Sequence, residues 1–318
     1  MSFWNDKRVV VTGGAGFLGS HVVQALQEAG CPDIFIVRSR DYDLTREEDC
    51  LRLLEEARPD IVIHLAGLVG GILSMKVRPA EFFYRNLTMG TFMLHHSWRY
   101  GVKKFVAAGA GCGYPEHAPL PLKEQAFWDG FPQKESAPYS LAKRLLHIQS
   151  LAYYEQHGFA SIITMPGNIY GPYDNFDLQA GHVVPSLVRR FVEATETDAT
   201  EVTVNGTGRP TRDFVYAGDV AQGLLLAAER YDRPELVNLS SGVETSIREL
   251  VEQIVAVTGF RGRLVWDTSG PDGQARRWFD VSKAKRDLGW EAKTSLRAGL
   301  ELTIPWYRAN RAMARLSV

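Results

Sequence analysis

The sequence predicts an α/β fold, a doubly wound parallel sheet joined to a smaller, discontinuous α/β unit. Three observations predict it. Short β-branched runs alternate with helix-periodic stretches through the first half of the 318 residues, a glycine-rich turn links the first such run to the first such helix, and the pattern changes near residue 166. Strands that alternate with helices require right-handed crossovers, which place helices on both faces of a parallel sheet.

Taken in order, RVVVT (8–12) is a β-branched run that stops at glycines, and SHVVQALQEAG (20–30) puts Val22, Val23 and Leu26 on one helical face before Gly30 stops it. IFIV (34–37), DIVIHLA (60–66), KKFVAAG (103–109) and SIITM (161–165) repeat the strand signal. Turn formers then cluster in PGNIYGPYDNFD (166–177), followed by a helix at 183–194, strands at 201–204 and 212–216 around an NGTGRP turn, and helices at 219–230 and 246–259. This predicts a first domain over 1–168 that returns at about 212–245. A second domain then spans 169–211 and about 246–318, with a ligand cleft between the two.

Composition narrows the function. Lys and Arg total 36 against 37 Asp and Glu, a net charge of -1 that gives no case for a nucleic-acid or membrane partner. No apolar run reaches the roughly 18 residues of a membrane span, and MSFWNDKR lacks a secretory leader. Cys31, Cys50 and Cys112 form an odd set without metal-ligand spacing, which predicts no metal site and a reducing, cytoplasmic location.

Gly13, Gly16 and Gly19 recur at three-residue intervals between the first strand and the first helix. The first permits a tight turn, the second the approach of a pyrophosphate, and the third close helix–strand packing, so the sheet is predicted to be of the Rossmann type. Phe17 and Leu18 lie at the helix start, where free N–H groups and the helix dipole favour phosphate. At the end of the second strand, where an acidic residue would receive a ribose 2′-hydroxyl, stand Arg38 and Arg40. Guanidiniums there suit a 2′-phosphate and predict NADP(H), with Asp43 placed near the adenine.

Tyr139 and Lys143, in YSLAK, are four residues apart and so share a helix face. An ammonium near a phenol favours the phenolate and suits acid–base work. Such a pair is common on surface helices. About 120 residues after a dinucleotide loop, it is the signature of the short-chain dehydrogenases/reductases. The later YGP (170–172) and RDFVY (212–216) resemble that family's extended, nucleotide-sugar branch.

LVGGI (68–72), the GCGYP segment around Cys112, APYSLAK (137–143), PGNIYGPYDNF (166–176), GHVVPSLVRRF (181–191) and GPDGQARR (270–277) together resemble the GDP-L-fucose synthase family over nearly the whole chain. The resemblance implies a GDP-4-keto-6-deoxy-D-mannose 3,5-epimerase/4-reductase, with Cys112 as base, His182 as acid, Tyr139 as proton donor and Lys143 as its partner. It also implies further cofactor contacts at Leu65, Ala66 and Gly67, at Gly109, at Pro166, Asn168 and Ile169, and at His182 itself. Substrate contacts fall at Asn175, Arg190, Asn205, Arg212 and Asp272. A homodimer formed through long helices is implied too.

Two positions depart from the family pattern. Ala110 stands where a Ser or Thr hydroxyl polarises the substrate carbonyl, and it is flanked by unusual glycines, Gly109, Gly111 and Gly113; Asn205 stands where a large aromatic residue is frequent. Loss of one such donor costs on the order of 3 kcal/mol. Several functions therefore stay open: the epimerase/reductase, a redox-neutral 3,5- or 4-epimerase with tightly held cofactor, a dehydratase on a related sugar, and a non-catalytic dinucleotide sensor or scaffold. Retention of Cys112, Tyr139, Lys143 and His182 together speaks for the enzymes.

Overall fold

A computed structural model describes residues 2–178, 181–270 and 272–314. Of the segments discussed above, positions 179–180, Pro271 and 315–318 lie outside it.

The chain opens with β1 (Arg8–Thr12), α1 (Phe17–Glu28), β2 (Asp33–Val37), α2 (Glu47–Ala57) and β3 (Ile61–His64). A short α3 (Ile72–Val77) and the long α4 (Pro79–Arg99) lead to β4 (Lys104–Ala108), and α5 (Ala137–His157) leads to β5 (Ser161–Pro166). Then follow β6 (Asn168–Tyr170), α6 (Val183–Glu196), β7 (Glu201–Asn205), β8 (Thr211–Tyr216), α7 (Ala217–Arg230), β9 (Val237–Leu239) and β10 (Glu244–Ser246). The chain closes with α8 (Ile247–Thr258), β11 (Arg263–Asp267), α9 (Ser282–Leu288), α10 (Leu296–Ala309) and α11 (Arg311–Ala314).

Six parallel strands form the main sheet in the order β2-β1-β3-β4-β5-β9. The direction of build reverses between β1 and β3, and the crevice at the carboxyl ends of these strands is where such folds bind ligands. Two-fold alternation divides the sheet between two cores. Val9, Val11, Ile61, Ile63, Val106 and Ile162 pack with α1 and α7, whereas Val10, Val62, Phe105, Ala107 and Ile163 pack with α2, α4 and α5. Both faces are covered, so the strands read as unbroken apolar runs.

A third core gathers α6, α8 and α10 around Phe176, Val188, Phe191, Ile254 and Ile304. It carries a two-stranded parallel pair, β11–β7, and adjoins the three-stranded β10-β8-β6 sheet. Helix α8 starts with a capping box in which Ser246 and Glu249 satisfy each other's backbone N–H groups. Among the described residues, no helix is long and apolar enough to cross a membrane.

The two sheets meet at Asp213 on β8. Its buried carboxylate accepts from the Ser241 N–H (2.9 Å), the Ser241 hydroxyl (2.5 Å), the Gly242 N–H (3.1 Å) and the Phe279 N–H (3.2 Å). Burial raises its pKa and these donors oppose the rise. Asp213→Ala leaves those buried donors without an acceptor and is expected to cost about 3 kcal/mol. A fall in the urea midpoint at constant slope measures it; an unchanged midpoint would show that the junction is held elsewhere.

Candidate active site

The glycine turn after β1 forms a cradle that side chains would fill. Gly13 has φ +69°, and a Cβ there would lie 2.9 Å from the Ala66 nitrogen; a Cβ on Gly19 would lie 2.0 Å from the Gly13 carbonyl oxygen. Helix α1 starts at Gly16 with no side-chain cap and no acidic residue in its first turn, so its N–H groups and dipole face no competing carboxylate. Thr12 joins this turn to the loop after β3. Its hydroxyl accepts from the Leu65 and Ala66 N–H groups (both 3.2 Å), which leaves its own hydrogen for His64 Nδ1 at 2.9 Å. His64 is then an acceptor at Nδ1, and burial holds its pKa down to about 3, in the neutral form this bond requires. Asn86, unnoticed in the sequence, pins the same loop by bonding Leu68 N–H (3.1 Å) and Leu68 carbonyl (3.0 Å). The cradle therefore fits a dinucleotide pyrophosphate.

Arg38 and Arg40 both stand exposed beyond β2. Arg40 and Asp41 are 3.6 Å apart and largely solvated, an arrangement too weak to hold the guanidinium. Asp43, the residue expected near the adenine, lies in the loop between β2 and α2. Its carboxylate accepts from Thr45 N–H (3.1 Å) and hydroxyl (2.7 Å), closing the turn ahead of α2.

At the carboxyl end of β4, Cys112 lies on a single 3-10 turn, Gly111–Gly113, and packs with Ala110, Met75, Phe82 and Tyr139. Tyr139 and Lys143 project from the first turns of α5, both buried. Lys143 Nζ donates to the Ala108 carbonyl at 3.1 Å and lies beside Gly67, whose Cβ would approach it to 3.5 Å. This brings four expected positions, Gly67, Cys112, Tyr139 and Lys143, together below the cradle. Pro166, Asn168 and Ile169 continue from the end of β5 into β6 on the same edge, and Gly109 lies against Thr164 and Met165 of β5.

The electrostatics differ from the simple ammonium–phenolate pair. Burial, with a smaller contribution from Cys112, pushes the Tyr139 phenol well above its ordinary range; burial lowers Lys143 to about 8. Desolvation outweighs the cation, so Tyr139 keeps its proton. The unusual glycines have a packing reason. A Cβ on Gly111 would lie 2.7 Å from the Phe279 ring, and one on Gly113 would lie 3.0 Å from Phe127.

The remaining expected residues lie on the second unit and at its border with the first. His182 is the N-cap residue of α6, yet its side chain makes no cap hydrogen bond, so it is not there to close the helix. It is exposed by surface area, and desolvation lowers its pKa. Asn175 lies in the loop before it and accepts from Asp177 N–H at 3.0 Å. Arg190 donates to the Thr203 carbonyl (2.6 Å) and Asp272 accepts from Thr207 N–H (2.7 Å) and hydroxyl (2.6 Å), so both are engaged in holding β7 and the turn after it. Asn205 ends β7 paired with Asp267, whereas Trp266, paired with Val204, packs against Gly208 with its ring centroid 4.5 Å from the Arg248 guanidinium carbon.

Arg212 bonds only carbonyls, Thr211 at 2.7 Å and Gln274 at 2.8 Å, and burial followed by the neighbouring Arg277 lowers it to about 10. Arg277 escaped the sequence reading. Its Nε and Nη2 are buried without a hydrogen-bond partner, and burial lowers its pKa against the opposing influence of Cys112 and Glu116. Among the described residues neither guanidinium has an ion-paired carboxylate, an arrangement whose chemistry suits an anion.

Comparison with known proteins accords with this geometry. Residues 9–240 match the family model described as the NAD dependent epimerase/dehydratase family. The chain belongs to that family. It is 40% identical over 312 residues to GDP-L-fucose synthase 1 of Arabidopsis thaliana, covering 98% of this chain and 96% of the relative. Among solved structures it resembles a GDP-6-OMe-4-keto-L-xylo-heptose reductase from C. jejuni (TM-score 0.91, 27% identity, 97% and 99% covered). A GDP-L-fucose synthetase from Naegleria fowleri bound to NADP is similar too (TM-score 0.89, 29% identity, 99% and 98% covered). Within the epimerase/dehydratase family the chain therefore groups with the GDP-L-fucose synthases.

The loop leading to His182 in this epimerase/dehydratase holds a buried acid. Asp174 Oδ1 accepts from Asn175 N–H at 2.7 Å, Oδ2 has no partner, and burial pushes its pKa up to about 8 from an ordinary 3.8. Between those values the folded chain holds a proton that the unfolded chain has lost, so stability falls as pH rises from about 4 towards 8. Urea unfolding at pH 5 and pH 8 is expected to show a smaller loss for Asp174→Asn than for the wild type. Equal losses would assign the slope to other groups.

Proposed function

We propose that this chain is an NADP(H)-dependent GDP-4-keto-6-deoxy-D-mannose 3,5-epimerase/4-reductase. The observation that carries the reading is the packing of the partly buried Cys112 with the buried Tyr139, near the buried Lys143 and a dinucleotide cradle, together with His182 ahead of α6 and the adjoining guanidiniums of Arg212 and Arg277. The residues that would hold the cofactor are Gly13, Gly16 and the first turn of α1 for the pyrophosphate, Arg38 and Arg40 for the 2′-phosphate, and Lys143 with the Leu65–Gly67 loop for the nicotinamide half. When bound, NADPH supplies the hydride.

A 4-ketone acidifies the hydrogens on C3 and C5. Cys112 takes such a proton on one face as its thiolate, and His182 returns one on the other. The low pKa of His182 favours neutral imidazole, and the negative charge of a diphosphate substrate shifts it towards the proton-bearing form an acid needs. Tyr139, held protonated by burial, gives its proton to O4 as C4 is reduced. Arg190, Arg212, Asn175, Asn205 and Asp272 frame the remainder of the substrate. In this reading the division of the chain is the expected one, a dinucleotide-binding domain over 1–168 returning at about 212–245 and a substrate-binding domain over 169–211 and about 246–318.

One observation favours a second reading. Ala110 offers no hydroxyl to the carbonyl, which would impair reduction while leaving the Cys112 and His182 chemistry intact, as in a redox-neutral epimerase. A homodimer working in a reducing, cytoplasmic compartment completes the proposal. The apolar stripe of Leu141, Leu145, Ile148 and Ala152 along the outer face of α5 supports the former, and three free cysteines the latter.

Incubation with GDP-4-keto-6-deoxy-D-mannose and NADPH in D₂O tests both readings. NADPH oxidation with two deuterons in the product supports the epimerase/reductase, deuterium uptake without oxidation supports the redox-neutral enzyme, and neither signal refutes the substrate. Tyr139→Phe is expected to lower reduction about 100-fold or more. The kcat/KM for reduction is expected to fall as pH rises through about 8, where Lys143 loses its charge. A profile flat across pH 7–9 would remove Lys143 from that role.

A further inference from the structure

We infer that Arg277 donates to the carbonyl oxygen of the bound keto sugar, in place of the hydroxyl that Ala110 lacks; this rests on the nucleotide-sugar reading above. Three observations carry the assignment. The guanidinium has two buried nitrogens, Nε and Nη2, with no partner, a costly state unless a ligand atom completes it. The segment that bears it is pressed on the Cys112 turn, because the Phe279 ring occupies the space beside Gly111 that a Cβ would need. The same segment is fixed from behind, with Arg277 N–H on the Thr211 carbonyl at 3.2 Å and Phe279 N–H on Asp213 at 3.2 Å. Arg277 and Cys112 are consequently close enough to act on each other electrostatically.

Position decides what the guanidinium serves. Arg212 adjoins Arg277 and uses Nη1 alone for its two backbone carbonyls, so the rest of its fork suits a diphosphate. Cys112 works at C3 and C5, the carbons either side of C4, so a donor on the segment packed against the Cys112 turn is placed to serve O4. As the thiolate takes the C3 or C5 proton, the C–H electron pair moves into the bond to C4 and the carbonyl pair moves onto oxygen. The Arg277 N–H groups hold that oxyanion. Protonation by His182 on the other face restores the ketone, and thiol and imidazole are reset by exchange with water. A charged donor forms a stronger bond to an oxyanion than the neutral hydroxyl it replaces.

The test uses deuterium uptake from D₂O into GDP-4-keto-6-deoxy-D-mannose by the full chain loaded with NADP⁺. Arg277→Gln is expected to lower kcat for exchange about 100-fold with KM changed less than threefold. Adding Ala110→Ser to that variant is expected to recover at least tenfold in kcat, since the hydroxyl would reach the same oxygen. Unchanged NADPH binding, followed by fluorescence, verifies that both variants are folded. A tenfold or larger rise in KM with kcat intact would make Arg277 a diphosphate ligand and overturn the assignment, as would a double variant no faster than Arg277→Gln. A wild-type chain that exchanges nothing would instead refute the substrate reading, and the assignment with it.

Discussion

The buried carboxylate of Asp213 is the point on which the two halves of the molecule depend. A carboxylate with no solvent and no cation is tolerated only when its oxygens are saturated with donors, and here four N–H or O–H groups from two separate stretches of chain converge on it. One stretch follows β9, the last strand of the main sheet; another is the Phe279 segment. The space around this junction is equally constrained. A Cβ on Gly167, between β5 and β6, would lie 1.9 Å from Ser240 Oγ and 3.2 Å from the Asp213 carbonyl oxygen. The crossing from one unit to the other therefore has one geometry, and the walls of the cleft inherit it.

That geometry explains the electrostatic character of the site. Lys143, Arg212 and Arg277 all have pKa values lowered mainly by burial. Among the described residues none has a carboxylate in hydrogen-bonding contact; Lys143 and Arg212 donate to backbone carbonyls instead. Cations desolvated without counter-charges are unfavourable in the free protein and become favourable when a multiply charged ligand enters. A nucleotide cofactor with a 2′-phosphate and a sugar diphosphate are such ligands. The same dryness that lowers these cations raises the Tyr139 phenol, so one physical cause, exclusion of water, prepares both the binding groups and the proton donor.

Much of this was legible in the chain. The β1 turn could be read because its glycines answer to backbone constraints that no other residue meets, and the Tyr139–Lys143 spacing because helix geometry is regular. The main strands were visible as apolar runs because helices cover both sheet faces. Short elements were not visible. Strand β9 is three residues long, and β11 alternates too weakly, being only partly buried, to stand out before its pairing with β7 is known. Asp43 shows how much a local motif leaves out: the bonds from the Thr45 N–H and hydroxyl to its carboxylate could not be read from an acid after a second strand. Arg277 was hidden for a different reason. Its meaning lies in the lack of a partner and in nearness to Cys112, 165 positions earlier in the numbering, and neither is a property of local sequence.

The departures around Cys112 form one change rather than several. Glycine at 111 is required because the Phe279 ring fills the space beside it, and glycine at 113 because Phe127 does. Those two rings pack with Tyr114, whose hydroxyl bonds Asn238 of β9 at 2.6 Å, so the turn rests on an aromatic floor tied to the edge of the main sheet. A larger residue at either glycine would lift the turn off that floor and carry the Arg277 segment away from it. Ala110 sits at the start of the same turn, packed against Met75, Phe82 and Tyr139 in an apolar cluster with no need of a hydroxyl. Loss of the hydroxyl, tight seating of the turn and close approach of a guanidinium are thus coupled by packing. A change that restored the hydroxyl alone would add a donor to a site where the rest of the wall has already been rearranged around a charged one.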